Sequence, residues 1–387
     1  MSPTTSRHSP DAGRAAAGGA PEDGFASART EALEHAVDLA RLAPSVHNTQ
    51  PWLIVVENGG LTLRADRGRQ LRVLDPLGRA LVLSVGAALL HVRVALAERG
   101  WAAEVDRFPR PEDGDLLAHV RVVAGTPDSR LAALAPQVSN RRTNRRRFSA
   151  ETVPVELLRA LAGVAARENT QLIPILSDDH RRLVARLTQQ ADGLQNADPA
   201  YRAELRQWTT RPAADGDGVP PAAVARVDGK EPDEVPLRDF DTQGIGGLPA
   251  ETRSGADQTL VLLATDTDGP DAWLRAGEAL ERVLLELTAQ GWAASPVTQP
   301  IEVPLTRTQL RSALTWHAHP QLLLRIGRAP QTTATPRRSR EDLVQNSTRT
   351  AEASRARSHG SHDSGHVEPR PYPRRPVPDG RGGTTWV

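Results

Sequence analysis

The chain has 387 residues, room for one large or two ordinary domains, with 48 basic against 47 acidic side chains and a formal net charge of +1. That balance gives no global field to draw in nucleic acid or a membrane surface. The absence of cysteine excludes disulfides, thiol nucleophiles, iron–sulfur clusters and cysteine-bound zinc, and it fits a reducing cytosol.

In chain order, residues 1–28 are rich in Ser, Ala, Gly and Pro and lack an apolar h-region, which predicts a disordered arm and not a signal peptide. Glu31 to Leu42 carries Leu33, Ala36, Val37, Leu39 and Ala40 near helical spacing, and Pro44 closes that helix. A polar stretch leads to the apolar strand Trp52–Val56, which turns at Asn58-Gly59-Gly60 into Leu61–Ala65. After Asp75-Pro76 a long helical pattern runs from Ala80 to Arg99 and stops at Gly100; Leu117 to Ala124 then alternates as a strand. No apolar run is expected to reach the roughly 20 residues of a membrane span.

The arginine-rich run Asn140 to Phe148 opens a second half. A helix is predicted over Glu156–Arg167, then Asn169-Thr170-Gln171 and a strand, Leu172–Leu176. From Leu205 to about Leu248 Pro and Gly break the pattern, and Trp208, Val219, Leu237 and Phe240 suit an ordered lid better than a loose linker. Thr259–Thr265 reads as a central strand, Trp273–Gln290 as a helix and Leu322–Gly327 as a strand. Residues 345–387 read as a flexible, low-complexity tail. Its His359, His362 and His366 could hold a metal loosely or simply be solvated, and a zinc reading of His317-x-His319 lacks a carboxylate partner in the sequence.

A repeat links the halves. The run from Gly86 to Ala103 recurs from Gly277 to Ala294 at a constant offset of 191 (277 − 86), without a gap. Identities include Gly86/Gly277, Leu89/Leu280, Val92/Val283, Leu96/Leu287 and the whole Gly-Trp-Ala-Ala ending. Shared leucine spacing alone could be chance; shared motifs at both ends argue for duplication, each copy one layer of a larger core.

The stretch Ala43-Pro44-Ser45-Val46-His47-Asn48-Thr49-Gln50-Pro51-Trp52 places a hydroxyl, amides and a Pro-Trp pair between a helix end and a strand. Two readings fit these residue types: a well-capped turn, or groups that hydrogen-bond a flat heteroaromatic ligand. The stretch resembles the Pro-Ser-x-x-Asn-x-Gln-Pro-Trp motif of the nitroreductase-like flavoproteins, and in its His-Asn-Thr-Gln form their Acg-type branch. The resemblance runs from about Thr30 to about Val344. It implies an α+β nitroreductase-like fold, with duplicated half-domains over 29–135 and 136–344, a lid insertion near 205–248, and an intrachain pseudo-dimer with FMN between the halves.

An FMN phosphate calls for guanidinium forks, which meet its oxygens two at a time. Arg141, Arg142, Thr143 and Arg145 match the Arg-Arg-Ser-x-Arg-x-Phe opening of nitroreductase domains, with one extra arginine before Phe148 leaving the register open by one residue. Arg337 and Arg338 resemble the family's C-terminal basic pair. The alternatives for the first cluster are a solvated basic loop or a nucleic-acid patch, and an aromatic content of 3% offers nucleic acid few stacking partners. Ser295, Pro296 and Val297 resemble the family segment lying along the flavin ring; a Pro-rich turn into a strand is the alternative. From the first stretch Ser45, His47, Asn48, Gln50, Pro51 and Trp52 are carried over as cofactor-binding candidates.

The implied function is NAD(P)H-dependent two-electron reduction of a nitroaromatic or quinone-type acceptor through flavin N5. No side-chain acid or base stands out as catalytic, since the cofactor performs the chemistry. Lys230 is the only lysine and no Schiff-base candidate. The alternative is an FMN storage or sequestration protein with lid-covered flavin and little turnover; a flavin-free interaction module would be colourless. The expected molecule is a cytoplasmic monomer acting as a pseudo-dimer, binding FMN and NAD(P)H, with a small-molecule electron acceptor or none and no metal, nucleic acid or membrane partner.

Overall fold

The computed structural model describes residues 20–57, 59–145, 148–223, 235, 236, 238, 240, 259–315, 317–345, 376–378 and 384–386. The chain forms two compact units, residues 1–345 and 346–387. In the second, β9 (Pro376–Pro378) pairs antiparallel with β10 (Thr384–Trp386); His359, His362 and His366 lie outside the described residues.

Two four-stranded antiparallel sheets build the first unit. One joins β1 (Trp52–Glu57), β2 (Gly60–Ala65), β3 (Ala102–Arg107) and β4 (Leu116–Val123) in the order β1-β2-β4-β3. The other joins β5 (Gln171–Ile175), β6 (Thr259–Thr265), β7 (Ala293–Val297) and β8 (His319–Gly327) in the order β5-β6-β8-β7. Each sheet carries one bulge at the same place in its plan, between Leu63 and Arg64 in β2 and between Leu263 and Ala264 in β6. Helices flank them, so the architecture is α+β as expected.

The core is the pair α2 (Arg79–Glu98) and α8 (Pro270–Ala289). These are the repeated helices of the sequence, and they meet at their repeated glycines. A Cβ on Gly86 would stand 2.1 Å from the Leu274 carbonyl oxygen, and one on Gly277 2.0 Å from that of Leu83. Only glycine permits so close a backbone approach. Helix α2 is buried on all faces and is, among the described residues, the one helix long and apolar enough to cross a membrane, which corrects the expectation that no run reaches that length; 89% of the stretch lies inside the fold. Apolar helices of this kind are also what a two-sided core requires.

Helix α1 (Ala20–Ala40) begins well before Glu31, inside the stretch expected to be an arm, and packs Leu33, Ala36, Val37 and Ala40 into the first core. Short helices α3 (Ser129–Ala132) and α4 (Ala135–Val138) lead to α5 (Val155–Ala166). The sequence reading missed α6 (Asp178–Asn196), although Ser177 caps it through the His180 N–H and Val184, Leu187, Thr188 and Ala191 form one buried stripe. Helix α7 (Pro199–Thr209) follows, with α9 (Gln299–Glu302), α10 (Pro304–Leu310) and α11 (Arg340–Leu343) later in the chain. Of the expected lid anchors, Trp208, Val219 and Phe240 share an apolar cluster with Leu71, Leu74, Tyr201 and Leu205; Leu237 lies outside the described residues.

Two isolated bridges fasten segments to the sheet edges, and the second of them joins the halves. Thr143 bridges Ala294 on the edge of the second sheet, and Val344 bridges Ile54 on the edge of the first. These bridges bring the arginine run and the C-terminal segment to the turn that follows α1.

Candidate functional site

Pro44 ends α1, and the chain then makes a tight turn in which His47, Asn48 and Gln50 take left-handed φ values of 46°, 57° and 47°. Each such residue costs about 1–2 kcal/mol in an L-amino acid, so the turn persists only because its surroundings fix it. The Gln50 N–H donates to Ser45 Oγ at 2.8 Å, and the Val46 N–H to Ser84 Oγ at 3.2 Å. Asn48 Nδ2 donates to the carbonyls of Gly218 and Pro336 at 2.9 and 3.0 Å. Gln50 Nε2 donates to the Gly216 carbonyl at 2.9 Å, while its Oε1 accepts from the Arg338 N–H at 2.8 Å. Both amides thus staple the insertion and the C-terminal segment to the turn. Asp217 completes the staple through Arg69 and Arg211.

Two cavities open beside this turn. One is an apolar slot lined by Leu83 and Ala87 of α2, Leu280 and Leu284 of α8, Ser295 and Pro296, His47, and Phe240 of the insertion. The other is a basic chamber lined by Arg141, Arg142, Arg337, Asn48 and Thr333–Thr335. Pro44, Ser45, Thr143 and Arg145 line both, so slot and chamber adjoin across a shared wall.

The chamber holds more positive than negative charge. Arg141 is paired with buried Glu281 at 3.1 Å, which also meets His91. Burial, with Arg141 nearby, pushes the Arg337 guanidinium down to about 9, and burial with Arg238 pushes Arg145 down to about 10. Arg142 shifts the same way, through burial and then Arg141. A guanidinium loses basicity only when its charge is poorly compensated. Arg337 is positioned by Asn48 Oδ1 at 3.1 Å and the Leu42 carbonyl at 3.1 Å, while its Nε is buried without a hydrogen-bond partner. In the slot, burial above all and then Arg238 push the His47 imidazole down to about 3, and its Nδ1 too is buried without a partner.

The sequence candidates divide three ways. Ser45, Thr143 and Arg145 line both parts; His47, Ser295 and Pro296 line the slot; Asn48, Arg141, Arg142 and Arg337 line the chamber. Gln50, Pro51, Trp52, Val297 and Arg338 line neither. Trp52 and Val297 are core side chains, and Gln50 is wholly buried on backbone partners. Arg338 gives its guanidinium to the carbonyls of Gln50 and Asp342 at 2.9 and 2.7 Å. Sequence reasoning missed Arg79, Ser84, Arg238, Glu302 and Gln321, all slot residues. Glu302 receives Arg238 at 2.5 Å, and Arg238 also meets Tyr201. Only the tertiary fold brings these positions together, and single charges in an arginine-rich chain give no local signal. Among the described residues no group of three or more potential metal ligands occurs.

No family model matches the chain. Among curated proteins it is 38% identical over 321 residues to "Putative NAD(P)H nitroreductase Rv3131" of Mycobacterium tuberculosis, covering 81% of this chain and 91% of that protein. It is 34% identical over 323 residues to "Putative NAD(P)H nitroreductase acg" of the same organism, covering 81% and 95%. Among solved structures, the FMN-bound nitroreductase of Desulfitobacterium hafniense aligns with a TM-score of 0.36 at 16% identity, covering 55% of this chain and 97% of that one. The FMN-dependent nitroreductase NfnB of Mycobacterium smegmatis, in complex with NADPH, aligns at 0.34 and 16%, covering 56% and 99%. Similarity at that structural level carries no weight for the site. Identity above one third across nearly the full length of its relatives shows the family: the chain belongs to the Acg-type NAD(P)H nitroreductases.

Proposed function

We propose that the chain is an FMN-dependent oxidoreductase that holds one FMN in the adjoining slot and chamber. The observation that carries this reading is their shared wall: an apolar space lies beside a cluster of undercompensated guanidiniums, matching a planar ring on a phosphorylated chain. The residues fit such a group. Arg142, Arg145 and Arg337 would hold the phosphate, with Asn48 Oδ1 fixing Arg337, whose Nε has no hydrogen-bond partner among the described residues. Leu83, Ala87, Leu280 and Leu284 would exclude water from the ring, and His47 would offer its Nδ1 to a polar ring edge. When bound, FMN supplies two-electron chemistry, taking hydride from NAD(P)H and reducing a nitroaromatic or quinone-type acceptor.

One chain supplies both walls, since α2 and the Ser45–Asn48 turn come from the first half and Arg142, α8 and Ser295 from the second. We infer a monomer acting as its own pseudo-dimer. The purified protein should be yellow, with flavin absorbance giving about one FMN per chain, and anaerobic NADPH should bleach it. A second reading, flavin storage, is favoured by the insertion: Phe240 and Arg238 line the slot, and Asp217 and the two amides fasten the insertion down. A yellow protein that dithionite bleaches and NADPH does not would decide for storage. A colourless protein would sink both.

A further inference from the structure

Arg79 stands in the first turn of α2, where the helix dipole disfavours a cation. It is 8% exposed, yet its two hydrogen bonds both leave from Nη1, to the backbone carbonyl and side-chain Oε1 of Gln321 at 2.6 and 3.4 Å. Among the described residues no carboxylate lies within ion-pairing distance of it. A buried cation in that state leans on carboxylates beyond ion-pairing distance, here Asp75, Glu302 and Asp268, and would gain from a direct countercharge.

Arg79 lines the apolar slot and also a separate hollow on the outside of it, which shares no residue with the arginine chamber. Arg307, Arg311 and His319 line this outer hollow as well. Two of its carboxylates are already ion-paired: Asp268 to Arg307 at 2.9 Å, accepting the Trp273 indole Nε1–H at 2.7 Å as well, and Glu302 to Arg238. Asp75 accepts the Leu81 N–H at 2.9 Å, capping the helix. Arg311 is exposed and makes no ion pair among the described residues. Leu77, also lining the hollow, is 76% exposed, and neighbouring Leu305 is 54% exposed. Exposed leucines therefore stand beside three arginines and three carboxylates, of which Asp268 is turned to Arg307 and Glu302 to Arg238. Arg79 and Arg311 are left without an ion pair among the described residues, and Arg79 sits where this hollow meets the slot.

We propose that the outer hollow is the docking site of the electron acceptor, and that the acceptor is an aromatic carboxylate whose acid group is held by Arg79 and Arg311 while its ring reaches the slot. This inference rests on the flavin reading for the identity of the slot, but the anion site itself does not. Buried Arg79 would give charge-assisted, two-pronged recognition from its free Nε and Nη2, and Arg311 would add screened attraction at the mouth.

Calorimetric titration of the purified full chain with 4-nitrobenzoate and with its uncharged methyl ester tests it. The carboxylate should bind at least about tenfold tighter. Arg79→Gln should erase that preference with ester affinity unchanged, and Arg311→Ala should reduce it roughly threefold. Equal affinity for acid and ester, or a preference that survives Arg79→Gln, overturns the proposal. Should Arg79→Gln fail to fold, the exposed Arg311→Ala decides, and an unchanged preference there overturns it. A colourless protein that still prefers the acid would sink the flavin reading and leave this site standing; a yellow protein without the preference does the reverse.

Discussion

His47 concentrates the site's unusual chemistry in one side chain. It is left-handed, buried, edge-on to Phe240 with ring centroids 5.4 Å apart, and its imidazole is pushed down to about 3, chiefly by burial. The folded value lies below the unfolded one of 6.5, so the unfolded chain takes up a proton that the folded chain refuses. Stability tied to this group is therefore fully present above pH 6.5 and is lost as pH falls toward 3. By pH 5 the loss should reach about 2 kcal/mol. His47→Gln should remove it: between pH 7.5 and pH 5, urea unfolding of the variant should lose less stability than the parent by about that amount. Parallel curves would show that the imidazole is not held neutral. The neighbouring arginines allow a second comparison. Both donate to backbone carbonyls, but Arg337 lines the chamber and Arg338 lines neither cavity. Arg337→Ala should weaken FMN retention by about 10- to 100-fold, the worth of a charged hydrogen bond, with the smaller effect on unfolding. Arg338→Ala should do the opposite, and dialysis followed by flavin fluorescence separates the two. Sequence pattern could not make this distinction, because adjacent arginines look alike until the Gln50 turn and the C-terminal segment are folded together.

At the scale of elements, the helix crossing sets the dimensions of the slot. Leu83 and Ala87 flank Gly86 in α2, and Leu280 and Leu284 follow Gly277 in α8, so the glycine contact holds the slot's apolar lining at a fixed spacing. Gly86→Ala would drive a methyl into the Leu274 carbonyl and should cost about 3 kcal/mol or more in urea unfolding. Gly100→Ala is the useful control: its φ of +81° is unfavourable but its Cβ would meet open space, so about 1 kcal/mol is expected. A comparable loss in both would remove the special role of the crossing. This element pair was legible because the 191-residue offset preserved both glycines and both Gly-Trp-Ala-Ala endings. The turn at Asn48 and the arginine run were legible for a similar reason, each being local and compositionally unusual. Strand β3 was not: Ala103 and Val105 alternate too briefly to stand out, and the strand is specified by its pairing with β4. Arg79, Arg238 and Glu302 were invisible for a deeper reason. Each is an ordinary charge locally, and only the distant elements packed around it bring it to the slot.

For the whole molecule, two sheets of corresponding strand order flank the proposed flavin site, which is single. The offset that carries Gly86 onto Gly277 also carries Ala87 onto Glu278 and Arg93 onto Leu284. Where the slot has Ala87 and Leu284, the corresponding positions of the other half hold Glu278 and Arg93, and these are joined at 2.6 Å. Arg107 grips Glu278 at 2.7 Å, while Glu168 bridges Arg93 and Arg282 at 2.8 and 2.7 Å. The carboxylate of Glu278 is wholly buried. Such a network fills with charge the space that is apolar and open in the slot, and it leaves no room for a ring. Removing one member of a buried pair strands its partner, at about 3–5 kcal/mol. Glu278→Ala should therefore destabilise the chain by roughly that much, without creating a second flavin site, because Arg93 and Arg107 remain and repel any apolar guest. Flavin absorbance should still give about one FMN per chain in the variant and the parent alike. A ratio near two in the parent would mean that both halves bind and that the ion network is no plug; a cost under about 1 kcal/mol would mean that the network is solvated.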